Sequence, residues 1–130
     1  MRKICLFVLV LVVVQSRTEA QHSNQMVRLA KIEVDPNQVS AYNRALSEQM
    51  NAAVQKEPGV LTYYAVAEKT APHLITILEI YTDSIAYLSH IKTAHFLKYK
   101  DTVKDMVKSL TLLDVDLISV ARKPDIHSNR

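Results

Sequence analysis

Two histidines five residues apart, His90 and His95, are the side chains best suited to proton chemistry, because imidazole titrates near neutral pH. On one continuous helix their rings would point roughly 140° apart, so both serve one pocket only if the helix breaks between them. Thr93-Ala94 is the natural place for that break. Glu79 lies in the apolar stretch His73–Tyr81 and becomes a second proton acceptor if it faces inward, since burial raises a carboxyl pKa. Tyr63, Tyr64, Tyr81, Tyr87 and Tyr99 carry flat rings with polar tips that suit an aromatic ligand. His90 and His95 are therefore the expected catalytic pair, and Glu79, Tyr81, Tyr64 and Phe96 the expected substrate-binding residues. All of them also fit structural roles: histidines that cap helix ends, a carboxylate paired with a surface lysine, tyrosines of a core or interface. No metal is expected, because two histidines at this spacing without an HExxH pattern or an obvious third ligand form a weak metal signal.

These residues must be positioned by a short series of elements. Val27–Val34 alternates as a strand, with Val27, Leu29 and Lys31 on one side and Ala30, Ile32 and Val34 on the other. Asp35-Pro36 should open a helix, with Asp as the cap and Pro in the first turn. Val39, Tyr42, Leu46, Met50 and Ala53 form its apolar stripe, and Glu57-Pro58-Gly59 ends it. Val60–Glu68 and His73–Tyr81 read as a hairpin around Lys69–Pro72. Asp83 caps a helix from Ser84 that carries Ile85, Leu88 and Ile91. A further helix, Ala94–Ser109, places Phe96, Tyr99, Val103, Met106 and Leu110 on one face, and Leu112–Arg122 is the last strand. The order β-α-β-β-α-α-β predicts a ferredoxin-like α+β sandwich.

Helices can cover one sheet face only, yet the strands are apolar on both. In His73–Tyr81, Leu74, Leu78 and Ile80 face one side while Ile75 and Ile77 face the other. Burying a large apolar side chain is worth about 1.5–3 kcal/mol, so a second copy packed sheet to sheet is expected, giving a homodimer.

The N-terminus reads as an address. Arg2 and Lys3 precede an unbroken apolar run, Ile4–Val14, and a polar stretch ends at Ala20. That is a secretory signal pattern, and the run is shorter than a comfortable membrane span. Retention of the segment as an N-terminal anchor is the alternative. Cleavage after Ala20 lowers the formal charge from +3 to roughly +1 and removes Cys5, the single cysteine. A thiol-free, nearly neutral domain suits export to the periplasm or beyond, with no membrane association after cleavage. With 48% hydrophobic residues in 130, the chain is one globular domain, not a disordered one. No basic run supports nucleic-acid binding. A short frayed terminus (21–25), the domain (26–123) and a polar tail (124–130) complete the organisation.

The stretch from Leu78-Glu79-Ile80-Tyr81 through Asp83 to His90-Ile91-Lys92-Thr93-Ala94-His95-Phe96, with Pro58-Gly59 upstream, resembles the antibiotic biosynthesis monooxygenase (ABM) domain family, nearest to its small bacterial quinol monooxygenases. The resemblance runs over residues 26–123. It implies a dimeric α/β barrel built on the ferredoxin-like fold. It also implies oxidation of a quinol- or anthrone-like aromatic by dioxygen without metal, flavin or other cofactor, since a deprotonated quinol can reduce dioxygen itself. The protein then binds the ring, assists proton removal and stabilises the anion. Two other readings remain: a non-catalytic module that binds a small aromatic ligand, and a haem-binding or haem-degrading protein. The latter ranks lower, because the haem-degrading branch carries an axial His shortly after the position of Phe96, where this chain has Leu97-Lys98-Tyr99-Lys100.

Overall fold

β1 (Met26–Val34) is the spine of the molecule, paired antiparallel with β3 (Leu74–Tyr81) on one side and β4 (Val107–Val115) on the other. β2 (Val60–Ala67) adds to β3 and completes an open sheet of order β2-β3-β1-β4. Helices α1 (Val39–Lys56), α2 (Ser84–His90) and α3 (Ala94–Val103) complete the order β-α-β-β-α-α-β, an α+β ferredoxin-like fold. The computed structural model describes residues 24–123. The expected leader, residues 21–23 and the tail 124–130 lie outside that range. Among the described residues no helix is long and apolar enough to cross a membrane.

The helix-facing side of the sheet forms the core. Ala30, Ile32 and Val34 of β1 and Ile75 and Ile77 of β3 pack against Tyr42 and Leu46 of α1 and Val103 of α3. A second cluster joins Ala53, Val60 and Tyr81. The alternation read for β1 and β3 thus matches the faces observed.

Three boundaries differ from the sequence expectation. First, α1 begins at Val39, not at Pro36. The Asp35 carboxylate accepts the Asn37 backbone N–H at 2.9 Å, a local turn that competes with helix capping, and Gln38 takes the cap position without a side-chain bond. Second, α3 ends at Val103 instead of Ser109. The chain turns there, Met106 donates its N–H to the Val103 carbonyl, and Asp35 donates to the Met106 carbonyl. Residues 107–115 then pair along β1, whose free edge would otherwise go unpaired. The helical spacing of Met106 and Leu110 was overridden by that pairing. Third, the last strand ends at Val115, not Arg122, because its partner runs out: Val115 faces Val27, next to the start of β1.

The opposite sheet face carries a cross-strand row, Tyr64–Leu78–Leu29–Leu113, that no helix covers among the described residues. After β4 the chain reaches the far edge, where Arg122 Nη2 donates to Tyr64 Oη at 2.8 Å.

Gly59 sits where β2 meets α2. A Cβ there would lie 2.5 Å from Ala86 Cβ and 3.2 Å from Thr82 Oγ1, while its carbonyl accepts the Thr82 N–H at 2.9 Å. Gly59→Ala should therefore lower unfolding stability by about 1–3 kcal/mol, the usual range for overpacking. Urea denaturation measures this, and an unchanged midpoint would contradict the close approach.

Candidate active site

The α2–α3 junction sets the site. Asp83 caps α2 by accepting the Ala86 N–H at 2.7 Å. Thr93 does the double work of the break: its Oγ1 donates to the His90 carbonyl at 2.7 Å and accepts from the Phe96 N–H, capping α3. With the helix interrupted, both imidazoles turn toward one carboxylate, Glu57, at the C-cap of α1. His90 Nδ1 lies 2.8 Å and His95 Nε2 2.6 Å from the same atom, Glu57 Oε2. The Glu57 carboxylate accepts an N–H from each ring.

His90 is 1% exposed, and its other nitrogen points the opposite way. Gln49 Nε2 lies 3.1 Å and Tyr63 Oη 3.0 Å from His90 Nε2. With the proton on Nδ1 held by Glu57, Nε2 carries a lone pair and accepts from the Gln49 amide. Beyond it Tyr63 Oη lies 2.8 Å from Tyr81 Oη, which donates to Glu79 Oε2 at 2.9 Å. A line of polar contacts thus runs His95–Glu57–His90–Tyr63–Tyr81–Glu79 through the helix–sheet interface.

A cavity of about 470 Å³ opens between the sheet and the helices, within the ordinary range for a small-ligand pocket. Its walls are mostly aliphatic, from β1, β3, β4, α1 and α3, with Phe96 beside the His90 ring at 4.8 Å between centroids. His90, Tyr63, Tyr81, Glu79 and Arg28 are among its polar groups, and Lys100 adds a second permanent cation to the lining. Arg28 is anchored by Asp114 across the β1–β4 ladder at 2.7 Å and stacks over Tyr87 at 4.3 Å.

Burial dominates the electrostatics. It lowers the His90 pKa despite the opposing pull of Glu57, which favours a neutral ring. It raises the Glu79 carboxyl pKa, against the Tyr81 hydrogen bond and the Arg28 charge that lower it. Tyr63 and Tyr81 are pushed up as well, so both phenols stay protonated at neutral pH.

Of the residues singled out in the sequence, His90, Glu79, Tyr81 and Phe96 converge on the cavity. His95 does not; it stands behind His90, on the far side of Glu57. Tyr64 corrects an expectation: it is 51% exposed on the opposite sheet face, and its neighbour Tyr63 lines the cavity instead. Strand alternation allowed only one of the two to face the helices. Several residues of the site escaped the sequence reading. Tyr64 was chosen over Tyr63, Arg28 was given no role, Gln49 sits on the apolar stripe of α1 between Leu46 and Ala53, and Glu57 was read only as a helix stop. Gln49 carried a usable signal, a polar residue in a buried register. Glu57, His90 and His95 each offer one ligand atom within 4.8 Å of the others, so the third ligand missing from the sequence pattern is a carboxylate from α1.

The ABM family, described as antibiotic biosynthesis monooxygenase, matches residues 26–102. A solved structure from Bacteroides thetaiotaomicron, described provisionally as an antibiotic biosynthesis monooxygenase, is 48% identical, with a TM-score of 0.74 over 78% of this chain and 97% of that one. A provisionally described monooxygenase from Lactobacillus acidophilus is 28% identical (TM-score 0.67; 68% of this chain, 42% of that one). A Nitrosomonas europaea protein, provisionally described as an antibiotic biosynthesis monooxygenase, shares the fold at 20% identity (TM-score 0.69; 73% and 91%). No curated protein matches. The segment from Glu79 to Phe96, the ferredoxin-like order and a match over most of the described domain agree, and this chain belongs to the antibiotic biosynthesis monooxygenase family.

Proposed function

We propose that this protein is a monooxygenase that oxidises a small quinol- or anthrone-like aromatic with dioxygen, without a prosthetic group, with His90 as the base. One observation carries the reading: the buried imidazole of His90 turns Nε2 toward a largely apolar cavity while Glu57 holds the proton on Nδ1. A phenolic hydroxyl in that cavity would give its proton to Nε2. The resulting imidazolium is stabilised on both sides, by the Glu57 carboxylate at Nδ1 and by Tyr63 Oη as acceptor at Nε2. Arg28 supplies positive charge for the phenolate.

The electron-rich anion then passes an electron to dioxygen, and the two radicals combine into a carbon–oxygen bond. The peroxide anion takes a proton back from His90 and loses water, leaving a new ring carbonyl. One oxygen atom enters the product, the other leaves as water, and the substrate supplies all the electrons. Dry aliphatic walls favour this sequence by keeping water from the anion.

The leader-like residues 1–20 support an exported protein. The row Tyr64–Leu78–Leu29–Leu113 supports a homodimer packed sheet to sheet, and the exposed Ile118 and Val120 that follow β4 add further apolar surface.

Oxygen uptake with a panel of quinols and anthrones should exceed autoxidation, and His90→Ala should lower kcat by about 10²–10⁴-fold. Glu57→Gln should cost less, because the amide oxygen still accepts the Nδ1 proton but no longer balances the imidazolium charge. Ligand-induced thermal shifts without turnover would identify a binding module instead. Glu79 makes a pH-dependent prediction. Burial raises its folded-state pKa, so the unfolded chain ionises first, and stability falls as pH rises from the ordinary glutamate range through the raised pKa. Glu79→Gln should therefore melt higher than the parent protein at neutral pH, with the gap closing once acid protonates Glu79 in both states. A gap that persists in acid would point to packing instead of ionisation. Sedimentation at micromolar concentration should give a dimer that Leu78→Glu dissociates; a monomeric parent protein would refute the sheet-to-sheet assembly.

A further inference from the structure

We infer that Glu57, His90 and His95 form a binding site for a divalent cation of borderline softness, Zn²⁺ foremost, on the side of the His90 ring that faces away from the cavity. The donor set is two imidazole nitrogens and one carboxylate oxygen. That combination suits zinc, whereas Mg²⁺ and Ca²⁺ prefer oxygen ligands. The three residues come from three separate elements, the end of α1, the last residue of α2 and the start of α3, yet their ligand atoms lie within 4.8 Å of one another. His90 Nδ1 and His95 Nε2 both aim at Glu57 Oε2. A cation that takes the place of the two N–H protons meets all three donors at once. The Glu57 and His95 side chains are 13% and 16% exposed, which leaves a path from solvent and room for water on the remaining coordination positions.

Neither Glu57 nor His95 lines the cavity, so the cation would not touch an aromatic ligand bound there. It acts through the His90 ring. A neutral imidazole carries one proton, and a cation on Nδ1 moves that proton to Nε2. The cavity side already holds its acceptor: Tyr63 Oη lies 3.0 Å from Nε2, next to Tyr81, which in turn donates to Glu79. No tyrosine has to move, and the Gln49 amide, 3.1 Å away, turns its oxygen to the new N–H. His95, whose Nε2 the cation takes, holds its proton on Nδ1 in the same way. The lone pair on Nε2 is withdrawn from the cavity, and the bound cation inhibits the enzyme. That consequence rests on His90 acting as the base; the binding of the cation does not.

Calorimetric titration of the purified protein with ZnCl₂, in the absence of any aromatic ligand, tests the site. One zinc should bind per chain, Mg²⁺ should not compete, and His95→Ala and Glu57→Gln should each weaken binding by about tenfold or more. Nitrogen-15 spectra of the wild-type imidazoles provide a reading that does not depend on the variants folding. On zinc addition the His90 Nε2 resonance should change from pyridine-like to pyrrole-like. The chain has five histidines, so saturable binding that both variants leave unchanged would overturn the assignment, as would ring nitrogens of His90 and His95 that do not shift. Zinc on these ligands with His90 Nε2 still unprotonated would overturn the inhibitory switch. Since no substrate is present, failure here leaves the oxygenase reading intact, and absence of oxygenase activity leaves the zinc site intact.

Discussion

The hydrogen bond from His90 Nδ1 to Glu57 Oε2 is the contact on which the rest of the site depends. It fixes one tautomer of a fully buried ring, so a lone pair is aimed where the cavity lies. It also ties the end of α1 to the end of α2, two elements 33 residues apart. The turn Glu57-Pro58-Gly59 makes that possible: it stops α1 with the carboxylate beside α2 and starts β2 in the next residue. The chain's one glycine falls in this turn, at the point where a Cβ would strike Ala86 of α2. The tight approach of the turn to α2 and the orientation of the His90 ring are thus consequences of the same three residues.

Much of the fold was legible because its signals are local. Two-residue alternation marked β1 and β3, the stripe Tyr42–Leu46–Ala53 marked α1, and Thr93 marked the interruption between α2 and α3. What was not legible depended on partners distant in sequence. Whether residues 104–109 continue a helix or start a strand is decided by the free edge of β1, and the end of β4 is decided by where β1 begins. Asp35 could cap a helix or close a turn, and only the folded chain, in which its N–H reaches the Met106 carbonyl, selects the turn.

The same division holds for the site. His90, Glu79, Tyr81 and Phe96 stand in one stretch whose residue types announce chemistry, and they meet in one cavity. Glu57 announces none: a glutamate before Pro-Gly is ordinary in sequence, and its role comes from the crossing of α1 over the α2–α3 junction. The choice of Tyr64 over Tyr63 failed because alternation fixes only that the two face opposite ways; the hairpin register, which sets Tyr63 opposite Glu79, decides which face each takes. Gln49 was the one missed residue that periodicity alone could have flagged, because it lies in register with buried Leu46 and Ala53.

A polar network inside an apolar interface is costly unless every member is satisfied. Among the described residues no buried side-chain nitrogen or oxygen lacks a partner. That completeness has a functional side. Each group that must change protonation has a neighbour able to reverse its hydrogen-bonding role: Tyr63 Oη can donate to Tyr81 or accept from His90, and Glu57 Oε2 faces an N–H whether His90 is neutral or cationic. A proton can therefore arrive at Nε2 once the Gln49 amide turns its oxygen to the ring, a small rearrangement that suits the base proposed for His90. The surrounding aliphatic walls do the opposite work: they offer few polar partners, so the proposed substrate anion would meet positive charge only from the few basic side chains of the lining, Arg28, His90 and Lys100. In the proposed oxidation, the division between a fixed polar line and an apolar hollow would make the position of the reacting oxygen, next to His90 Nε2, a property of the fold.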